Sequence, residues 1–333
     1  MNRNTGVKKK NRLLLAAFIF CAGLIGTASA KDLKVLAIGN SFSVCVGKYL
    51  PSIVQSFPEH SLELTSACIG GCPLEKHVRN IKEDAGDDPK AGKYWIAVWK
   101  VSKGGPVRQT NSSGKLPDLL KAQTYDIVTI QQASRLSWKW ESYEPYAEEL
   151  IAFIRQCQPN AEIVIQQTWS YRSDAGSFRS FGVDQTEMYE HLRDAYKKLA
   201  EKYKFRVIPT GDAVQLFRKY TPVKYRKPEE KTFEYPDLPS REGDVVGAAS
   251  WAKPKGKEKE GGREAMKLRI DTNHLNPDGE YLQACVWFSF LYGEPVDKIT
   301  WTPKNMEPDL AALLRKCAKE AVESYQQVTV KPH

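Results

Sequence analysis

Three polar residues of this chain are of the types that acyl transfer uses: a serine, a histidine and a carboxylate. Ser41 lies in Gly39-Asn40-Ser41-Phe42-Ser43, directly after the apolar run Val35–Ile38. Asp271 and His274 are three residues apart, far down the chain. A histidine that accepts the proton of a serine hydroxyl, and a carboxylate that orients the histidine, activate the serine as a nucleophile. These residues are candidates for a catalytic triad, although turn formation and helix capping would explain each of them singly.

The predicted secondary structure alternates between strands and helices. Apolar runs of strand length predict strands at Leu33–Ile38, Leu62–Ala67, Tyr125–Ile130, Glu162–Ile165 and Phe205–Ile208. The segment Lys93–Arg108 is typical of a hairpin with Gly104-Gly105-Pro106 as its turn. Alternating strands and helices predict an α/β fold, a three-layer α/β/α sandwich with a central parallel sheet. In such folds ligands bind outside the carboxyl ends of the strands.

The candidate residues come together at one edge of this predicted sheet. Gly39-Asn40-Ser41 follows the first strand, Gly70-Gly71 the second and Gln131-Gln132 the third. The segment Asp271–His274 precedes an apolar segment near the C-terminus. Because each motif alone is common, their coincidence at one sheet edge is the stronger indication of a site.

The order of these motifs resembles that of the SGNH/GDSL hydrolase superfamily. Gly39-Asn40-Ser41 stands where that family has its G-D-S block, and Asp271-Thr272-Asn273-His274 matches its terminal D-x-x-H block. The chain looks closest to a branch of secreted bacterial proteins with GNSFS, I-G-G-C and Q-Q-x-S motifs. The resemblance implies an SGNH-hydrolase-like, flavodoxin-like fold and a serine esterase that needs no metal or organic cofactor. Asn40 replaces the aspartate of G-D-S, which removes a charge but no member of the triad.

The resemblance also implies where the oxyanion is bound. Gly71 stands where the family has a glycine N–H donor, close to the N–H of Ser41. The family's G-x-N-D block is missing, and Gln132 stands in place of its asparagine. A glutamine amide can donate a hydrogen bond in the same way. We expect Ser41, Gly71 and Gln132 to form the oxyanion hole, with Gly70 and Gln131 as alternates.

Residues 1–30 have the composition of a secretory signal peptide. They contain five Lys or Arg and no acidic residue, then the apolar run Leu13–Ile25 and Ala28-Ser29-Ala30. The apolar run is too short to span a bilayer, and the last three residues are typical of a cleavage site. We expect cleavage after Ala30 and a secreted or periplasmic protein with no stable membrane insertion. A retained anchor is the alternative.

Charge and cysteine content exclude some classes of partner. Cleavage would lower the formal net charge from +9 to +4, because five positive charges leave with the signal. The rest shows no basic stretch interleaved with aromatic residues, so we expect no nucleic-acid partner. Too few histidines have ligand spacing for a metal site, so we expect no metal. The remaining cysteines are either buried thiols or disulfide partners: Cys45, Cys68, Cys72, Cys157, Cys285 and Cys317.

Aromatic residues near the candidate site favour a carbohydrate substrate, because aromatic rings stack on sugars. The resemblance to the SGNH/GDSL superfamily, which contains many such esterases, implies an esterase of acyl groups, preferably acetyl, on extracellular carbohydrate. The substrate-binding candidates are Trp138, Trp169, Tyr171 and Trp251, with Trp140 as a further aromatic residue. Ordinary core packing is the alternative for these rings. The alternative functions are a lipid or thioester hydrolase with the same triad and a non-catalytic glycan-binding protein.

One hydrolase-like domain over residues 31–325, with a short tail at 326–333, would account for the rest of the chain. Its irregular part is Thr221–Lys267, which is rich in Lys, Glu, Pro and Gly. Segments of this length without periodicity are usually functional or disordered. We expect Lys253–Arg263 to be solvated and mobile. We expect the apolar residues of the segment, Trp251 among them, to dock at the rim of the active site, with the back of the domain as the alternative.

Overall fold

A seven-stranded sheet forms the centre of the protein. The structure, a computed structural model, describes residues 30–83, 92–253 and 266–329, together with Met1. The strands of the sheet are β1 (Asp32–Gly39), β2 (Ser61–Cys68), β3 (Lys93–Val101), β4 (Val107–Lys115), β5 (Ile127–Ile130), β6 (Glu162–Gln166) and β7 (Val207–Ile208). Their order across the sheet is β4-β3-β2-β1-β5-β6-β7.

The sheet is mostly parallel, as the alternating pattern predicted. Strands β2, β1, β5, β6 and β7 pair in parallel. Val35–Ile38 of β1 is completely buried, as expected for a strand covered on both faces. Strands β3 and β4 form the predicted antiparallel hairpin at one edge. The exposed polar residues of β4 suit an edge strand, because they discourage pairing with a further chain.

Helices cover both faces of the sheet and complete the predicted α/β fold. They are α1 (Ser41–Val44), α2 (Leu50–Gln55), α3 (Leu74–Glu83), α4 (Leu116–Ala122), α5 (Tyr146–Cys157), α6 (Phe178–Phe181), α7 (Gln185–Tyr203), α8 (Thr210–Tyr220), α9 (Pro277–Tyr292) and α10 (Pro308–Thr329). Helices α3, α4 and α5 contact one another, and α2, α8 and α10 contact α9. Nearly every residue of α9 is buried, because this helix packs against the three others of its layer as well as the sheet.

A second sheet of two strands lies where the sequence predicted irregular structure. Strand β8 (Val246–Ala252) pairs antiparallel with β9 (Lys267–Leu275). Strand β8 was not predicted, because its Gly-Ala-Ala-Ser core shows no alternation of apolar and polar residues. Its partner β9 carries the Asp271–His274 segment, so the irregular segment contributes directly to the candidate site.

Several predictions fall outside the described residues. These are the signal peptide, apart from its ends, and residues 254–265 and 330–333. Helix α10 continues to Thr329, into the predicted tail. Among the described residues, no helix combines the length and apolar character that a membrane span requires. The cysteines of this part of the chain are free thiols rather than disulfide partners.

Candidate active site

The tight turn between β1 and α1 presents Ser41 at the carboxyl edge of the sheet. Strand β1 ends at Gly39, and α1 begins at Ser41. A Cβ atom on Gly39 would lie only 2.7 Å from Oγ of Ser43 and 3.0 Å from Cδ of Gln131, so the turn requires glycine. Because β1 lies between β2 and β5, this is the switch point of the sheet, where α/β proteins bind ligands.

Asn40 connects this turn to its neighbours. Its Oδ1 accepts hydrogen bonds from the backbone N–H of Phe42 (3.0 Å) and from Nε2 of Gln131 (2.9 Å). Its Nδ2 donates to the carbonyl of Cys72 at 3.2 Å. The asparagine therefore caps α1 and ties the ends of three strands together, which a buried amide does without the cost of burying an aspartate charge.

A bulge in the β8–β9 hairpin presents the acid and the histidine. Ala248 pairs with Asp271, but Val246 pairs with Leu275, so three residues of β9 lie opposite the single residue Gly247. The backbone of the bulge folds around the carboxylate of Asp271. Oδ1 of Asp271 accepts hydrogen bonds from the backbone N–H groups of Asn273 (2.7 Å) and His274 (2.9 Å). The D-x-x-H spacing thus gives one compact turn in which carboxylate and imidazole face each other.

Ser41, His274 and Asp271 form a continuous chain of hydrogen bonds. The distance between Oγ of Ser41 and Nε2 of His274 is 2.7 Å. The distance between Nδ1 of His274 and Oδ2 of Asp271 is also 2.7 Å. An ionised carboxylate only accepts, so Nδ1 carries a proton and Nε2 is left to accept the serine proton. The side chains of His274 and Asp271 are 47% and 41% exposed, so the site is open to solvent.

The electrostatics of this pair suit a histidine base. Partial burial raises the pKa of Asp271, but hydrogen bonds from the His274 ring and from two backbone N–H groups outweigh it and lower the pKa to about 2. The hydrogen bond to Asp271 raises the pKa of His274, against the opposing effect of burial. The carboxylate is therefore ionised at neutral pH, and the imidazole is a stronger base than a free histidine.

Backbone N–H groups beside Ser41 are available to bind an oxyanion. The turn Ile69–Cys72 is closed by a 3.1 Å hydrogen bond, and Gly71 has a φ of 58° that favours glycine. Within residues 30–83, 92–253 and 266–329, no acceptor takes up the N–H of Ser41 or of Gly71. The carbonyl of Gly71 is held by Nη1 of Arg135 at 3.0 Å. Two donors are thus left unpaired, among the described residues, at the sheet edge that carries Ser41.

The side chain of Gln132 differs from its expected role as a third oxyanion donor. Its Nε2 donates to the carbonyl (2.8 Å) and the hydroxyl (3.1 Å) of Ser142. Its Oε1 accepts the N–H groups of Leu74 and Ala133. The alternate, Gln131, donates to Asn40. A glutamine that follows a buried strand can therefore connect neighbouring loops instead of lining a site. Gln131 and Gln132 both connect loops in this way.

A family comparison identifies the chain. The family described as "Domain of unknown function (DUF4886)" matches residues 34–227. The protein belongs to the DUF4886 family. The matched region includes Ser41, Gly71 and both glutamines but ends before β8 and β9, so the Asp271–His274 segment lies beyond it. No protein with a curated description is significantly similar to the chain.

Solved structures extend the likeness over most of this DUF4886 protein. A DUF4886 family protein from Bacteroides uniformis ATCC 8492 is 27% identical, with a TM-score of 0.66, over 88% of this chain and 95% of that one. A protein from Slackia heliotrinireducens described as a candidate SGNH hydrolase is 15% identical, with a TM-score of 0.43, over 78% and 100%. An acetylxylan esterase from Geobacillus stearothermophilus is 14% identical, with a TM-score of 0.35, over 56% and 79%.

Two of the aromatic residues expected to bind substrate are buried in this DUF4886 protein. Trp169 is fully buried and Tyr171 is 4% exposed. The Trp169 ring stacks on Phe42 at a centroid distance of 4.2 Å, and its Nε1–H donates to the carbonyl of Asn273 at 2.8 Å. The hydroxyl of Tyr171 bonds to Ser134. Neither ring offers a face to a sugar, so their expected role as stacking platforms is wrong: they pack behind the site.

The other aromatic candidates are half-buried. Trp138 packs between Phe181 and His191, and Trp140 stacks on Tyr143. Trp251 donates from Nε1 to the carbonyl of Asp237 and pairs in the hairpin with Leu268. Leu268 precedes Asp271 by three residues, which places Trp251 about 10 Å along the strand from that carboxylate. The substrate-binding roles of Trp138 and Trp251 stay predictions.

Sequence reasoning missed Arg135, Gly247 and the role of Phe42. Arg135 follows Gln131-Gln132 at the same sheet edge, so its position alone could have indicated it. Gly247 has a φ of 90°, and a Cβ atom there would lie 2.3 Å from Nη1 of Arg172 and 2.7 Å from the carbonyl oxygen of Asp271. Nothing local in the sequence reveals that contact, because it depends on β8 pairing with β9.

One group of potential metal ligands occurs among the described residues, away from Ser41. It consists of Glu59, His60 and Glu294. His60 and Glu294 are buried, and their nearest nitrogen and oxygen atoms are 3.7 Å apart. The other carboxylate oxygen of Glu294 already pairs with Lys298 at 2.8 Å. This group lies at the amino end of β2, the edge opposite the candidate active site.

Proposed function

We propose that this DUF4886 protein is a serine hydrolase of carboxylic esters, with acetyl esters of extracellular carbohydrate as its substrate class. The observation that carries the proposal is the hydrogen-bonded chain from Ser41 through His274 to Asp271, with links of 2.7 Å. The unpaired N–H groups of Ser41 and Gly71 support it, because acyl transfer needs donors at the developing oxyanion.

The reaction follows from the positions of these groups. Oγ of Ser41 attacks the ester carbonyl carbon while its proton passes to Nε2 of His274. The negative charge on the carbonyl oxygen is stabilised by the N–H groups of Ser41 and Gly71. The carbon–oxygen bond to the alcohol then breaks, and His274 returns the proton to the departing alcohol. In the second half of the reaction, a water molecule gives its proton to His274 and attacks the acyl-serine, and the proton then returns to Oγ of Ser41 as the acid leaves. Asp271 stabilises the imidazolium of His274 in both halves of the reaction.

Two features support a large polar alcohol as the leaving group. The half-exposed His274 and Asp271 leave room for a polymer to lie across the site. Polar residues such as Arg135 and Ser134 follow β5 at this edge, and they suit a sugar better than a lipid chain. The predicted signal peptide is consistent with an extracellular substrate.

A panel of esters tests the function. Acetate release from acetylated glycans and from 4-nitrophenyl acetate is measured for the wild type and for Ser41→Ala and His274→Ala. Both variants should lose several orders of magnitude in kcat, as members of a triad do. Ser43→Ala is the matched control, because the Ser43 hydroxyl bonds, among the described residues, only to the carbonyl of Asn40. Turnover that rises with acyl length would favour a lipid or thioester hydrolase. Glycan binding without Ser41-dependent turnover would favour a non-catalytic protein.

A further inference from the structure

Arg135 lies beside the candidate oxyanion site. It follows β5 at the carboxyl edge of the sheet, and its side chain is exposed. Its Nη1 donates to the carbonyl of Gly71 at 3.0 Å, and a Cβ atom on Gly71 would lie 3.6 Å from the same nitrogen. The guanidinium is therefore fixed on the turn whose N–H group would face the reacting carbonyl.

The charge of Arg135 is not neutralised by the part of the chain that the structure describes. No carboxylate of residues 30–83, 92–253 or 266–329 lies within ion-pair distance of it. Two other arginines near the site differ in this respect. Arg172 pairs with Asp174 at 2.7 Å, and Arg218 pairs with Asp244 at 3.0 Å, all four side chains being buried. Arg135 thus leaves a positive charge exposed at the mouth of the site.

The guanidinium also has one edge, formed by Nε and Nη2, that is available for two parallel hydrogen bonds. Nη1 is used by Gly71, whereas Nε and Nη2 have no acceptor among the described residues. The Nε and Nη2 edge of an arginine matches the two oxygens of a carboxylate, and such charge-assisted pairs are among the stronger hydrogen bonds in proteins. Since Gly71 already fixes the group, binding a carboxylate would immobilise less of the side chain.

We infer that the substrate carries a carboxylate close to its acylated hydroxyl, and that Arg135 binds this carboxylate. This inference rests on the proposed esterase function and specifies its substrate class as acetylated acidic carbohydrate, with a uronic acid as the sugar at the site. Arg135 binds the carboxylate on the alcohol part of the ester, while the N–H groups of Gly71 and Ser41 bind the carbonyl oxygen. The Ile69–Cys72 turn therefore contributes both to binding of the substrate carboxylate and to catalysis.

The test compares acidic and neutral substrates. The kcat and KM are measured on acetylated oligogalacturonates, acetylated xylo-oligosaccharides and 4-nitrophenyl acetate, for the wild type, Arg135→Gln and Arg135→Lys. Arg108→Gln is the matched control, because it removes one exposed arginine charge on β4, away from the site. We expect Arg135→Gln to lower kcat/KM about tenfold to hundredfold on the acidic substrate, mainly through KM. The loss on neutral substrates should be at least about fivefold smaller than the loss on the acidic substrate, because it reflects only the contact of Arg135 with the Gly71 turn. Arg135→Lys should retain part of the preference, and Arg108→Gln should match the wild type.

Equal losses on acidic and neutral substrates would overturn the inference, since Arg135 would then act only through the Gly71 turn. A wild type that hydrolyses neutral esters through Ser41 but shows no preference for acidic ones would also overturn it, with the esterase function intact. Binding of deacetylated oligogalacturonate, measured by calorimetry, tests the inference apart from turnover. A Kd that is the same for the wild type and Arg135→Gln would contradict it even if no ester is hydrolysed.

Discussion

The indole N–H of Trp169 donates a 2.8 Å hydrogen bond to the backbone carbonyl of Asn273, the residue before His274. The same ring stacks in parallel on Phe42, the residue after Ser41. The rings of Phe42 and His274 in turn make an edge-to-face contact at a centroid distance of 5.3 Å. One buried tryptophan therefore fixes both the turn that carries Ser41 and the bulge that carries His274, although these are more than 200 residues apart in sequence.

Replacing Trp169 by phenylalanine should lower kcat about tenfold and leave KM nearly unchanged. The shorter ring can still stack on Phe42, but the hydrogen bond that fixes Asn273 is lost, so Ser41 and His274 are aligned less often. Trp287→Phe is the matched control. It removes a buried indole N–H bond of 2.7 Å from α9 to Gln166 of β6, a bond that involves neither Ser41, His274 nor Asp271. Both variants should lose a similar free energy of unfolding, about 1 kcal/mol. An equal kcat in the two variants would refute the positioning role of Trp169.

The pH dependence of kcat/KM should follow the protonation of His274. The bond to Asp271 raises the pKa of His274 above its ordinary value of about 6.5. Only the neutral imidazole accepts the Ser41 proton, so kcat/KM should rise with pH to a midpoint above that value. In Asp271→Asn the cause of the shift is removed, so the midpoint should fall and the rate should drop by orders of magnitude. Asp297→Asn, an exposed acid that pairs with Lys319, should leave the midpoint unchanged. A midpoint in Asp271→Asn at or above that of the wild type would contradict this description of the site.

Gln132→Leu should affect stability rather than chemistry. The four hydrogen bonds of this side chain link β5 to α3 and to Ser142, so their loss should cost at least about 2 kcal/mol of unfolding free energy. Gln158→Leu is matched to it, since Gln158 is a buried glutamine whose side chain bonds, within the described part of the chain, to backbone groups alone, near the amino end of β5. Well below their unfolding temperatures, both variants should retain kcat within about tenfold. A hundredfold loss in Gln132→Leu alone would restore Gln132 as an oxyanion donor.

Gly247→Ala should lower activity while the protein remains folded. A Cβ atom there meets both Arg172 and the carbonyl of Asp271, so the bulge that aims His274 must shift. We expect kcat/KM to fall by about tenfold to hundredfold. Gly104→Ala is the control: it also has a positive φ, at the tip of the β3–β4 hairpin, but nothing lies within 4 Å of the added atom. The two variants share the cost of an alanine with positive φ, so similar activity in both would show that the bulge tolerates displacement.

The sequence could predict what depends on nearby residues. The β1 run followed by Gly-Asn-Ser, and the apolar helix that follows D-x-x-H, are both encoded locally, and the structure contains them where they were expected. The sequence could not predict β8, because its small residues do not alternate between apolar and polar and its partner strand comes later in the chain. The burial of Trp169 was missed for a related reason: its ring is enclosed only when the Ser41 and His274 loops meet. The direction of the Gln132 side chain depends on Ser142 and Leu74, which lie on separate elements.

In the proposed reaction, the exposure of His274 would affect what becomes of the acyl group after the first half. Bulk water would have direct access to an acyl-serine at this site, and so would any small alcohol dissolved in the medium. The two nucleophiles would compete for one intermediate, so added methanol should divert part of the acetyl group into methyl acetate. The ratio of methyl acetate to acetate should depend on methanol concentration and not on which alcohol left first. An enzyme built in this way would be an acyltransferase for which water is the usual acceptor.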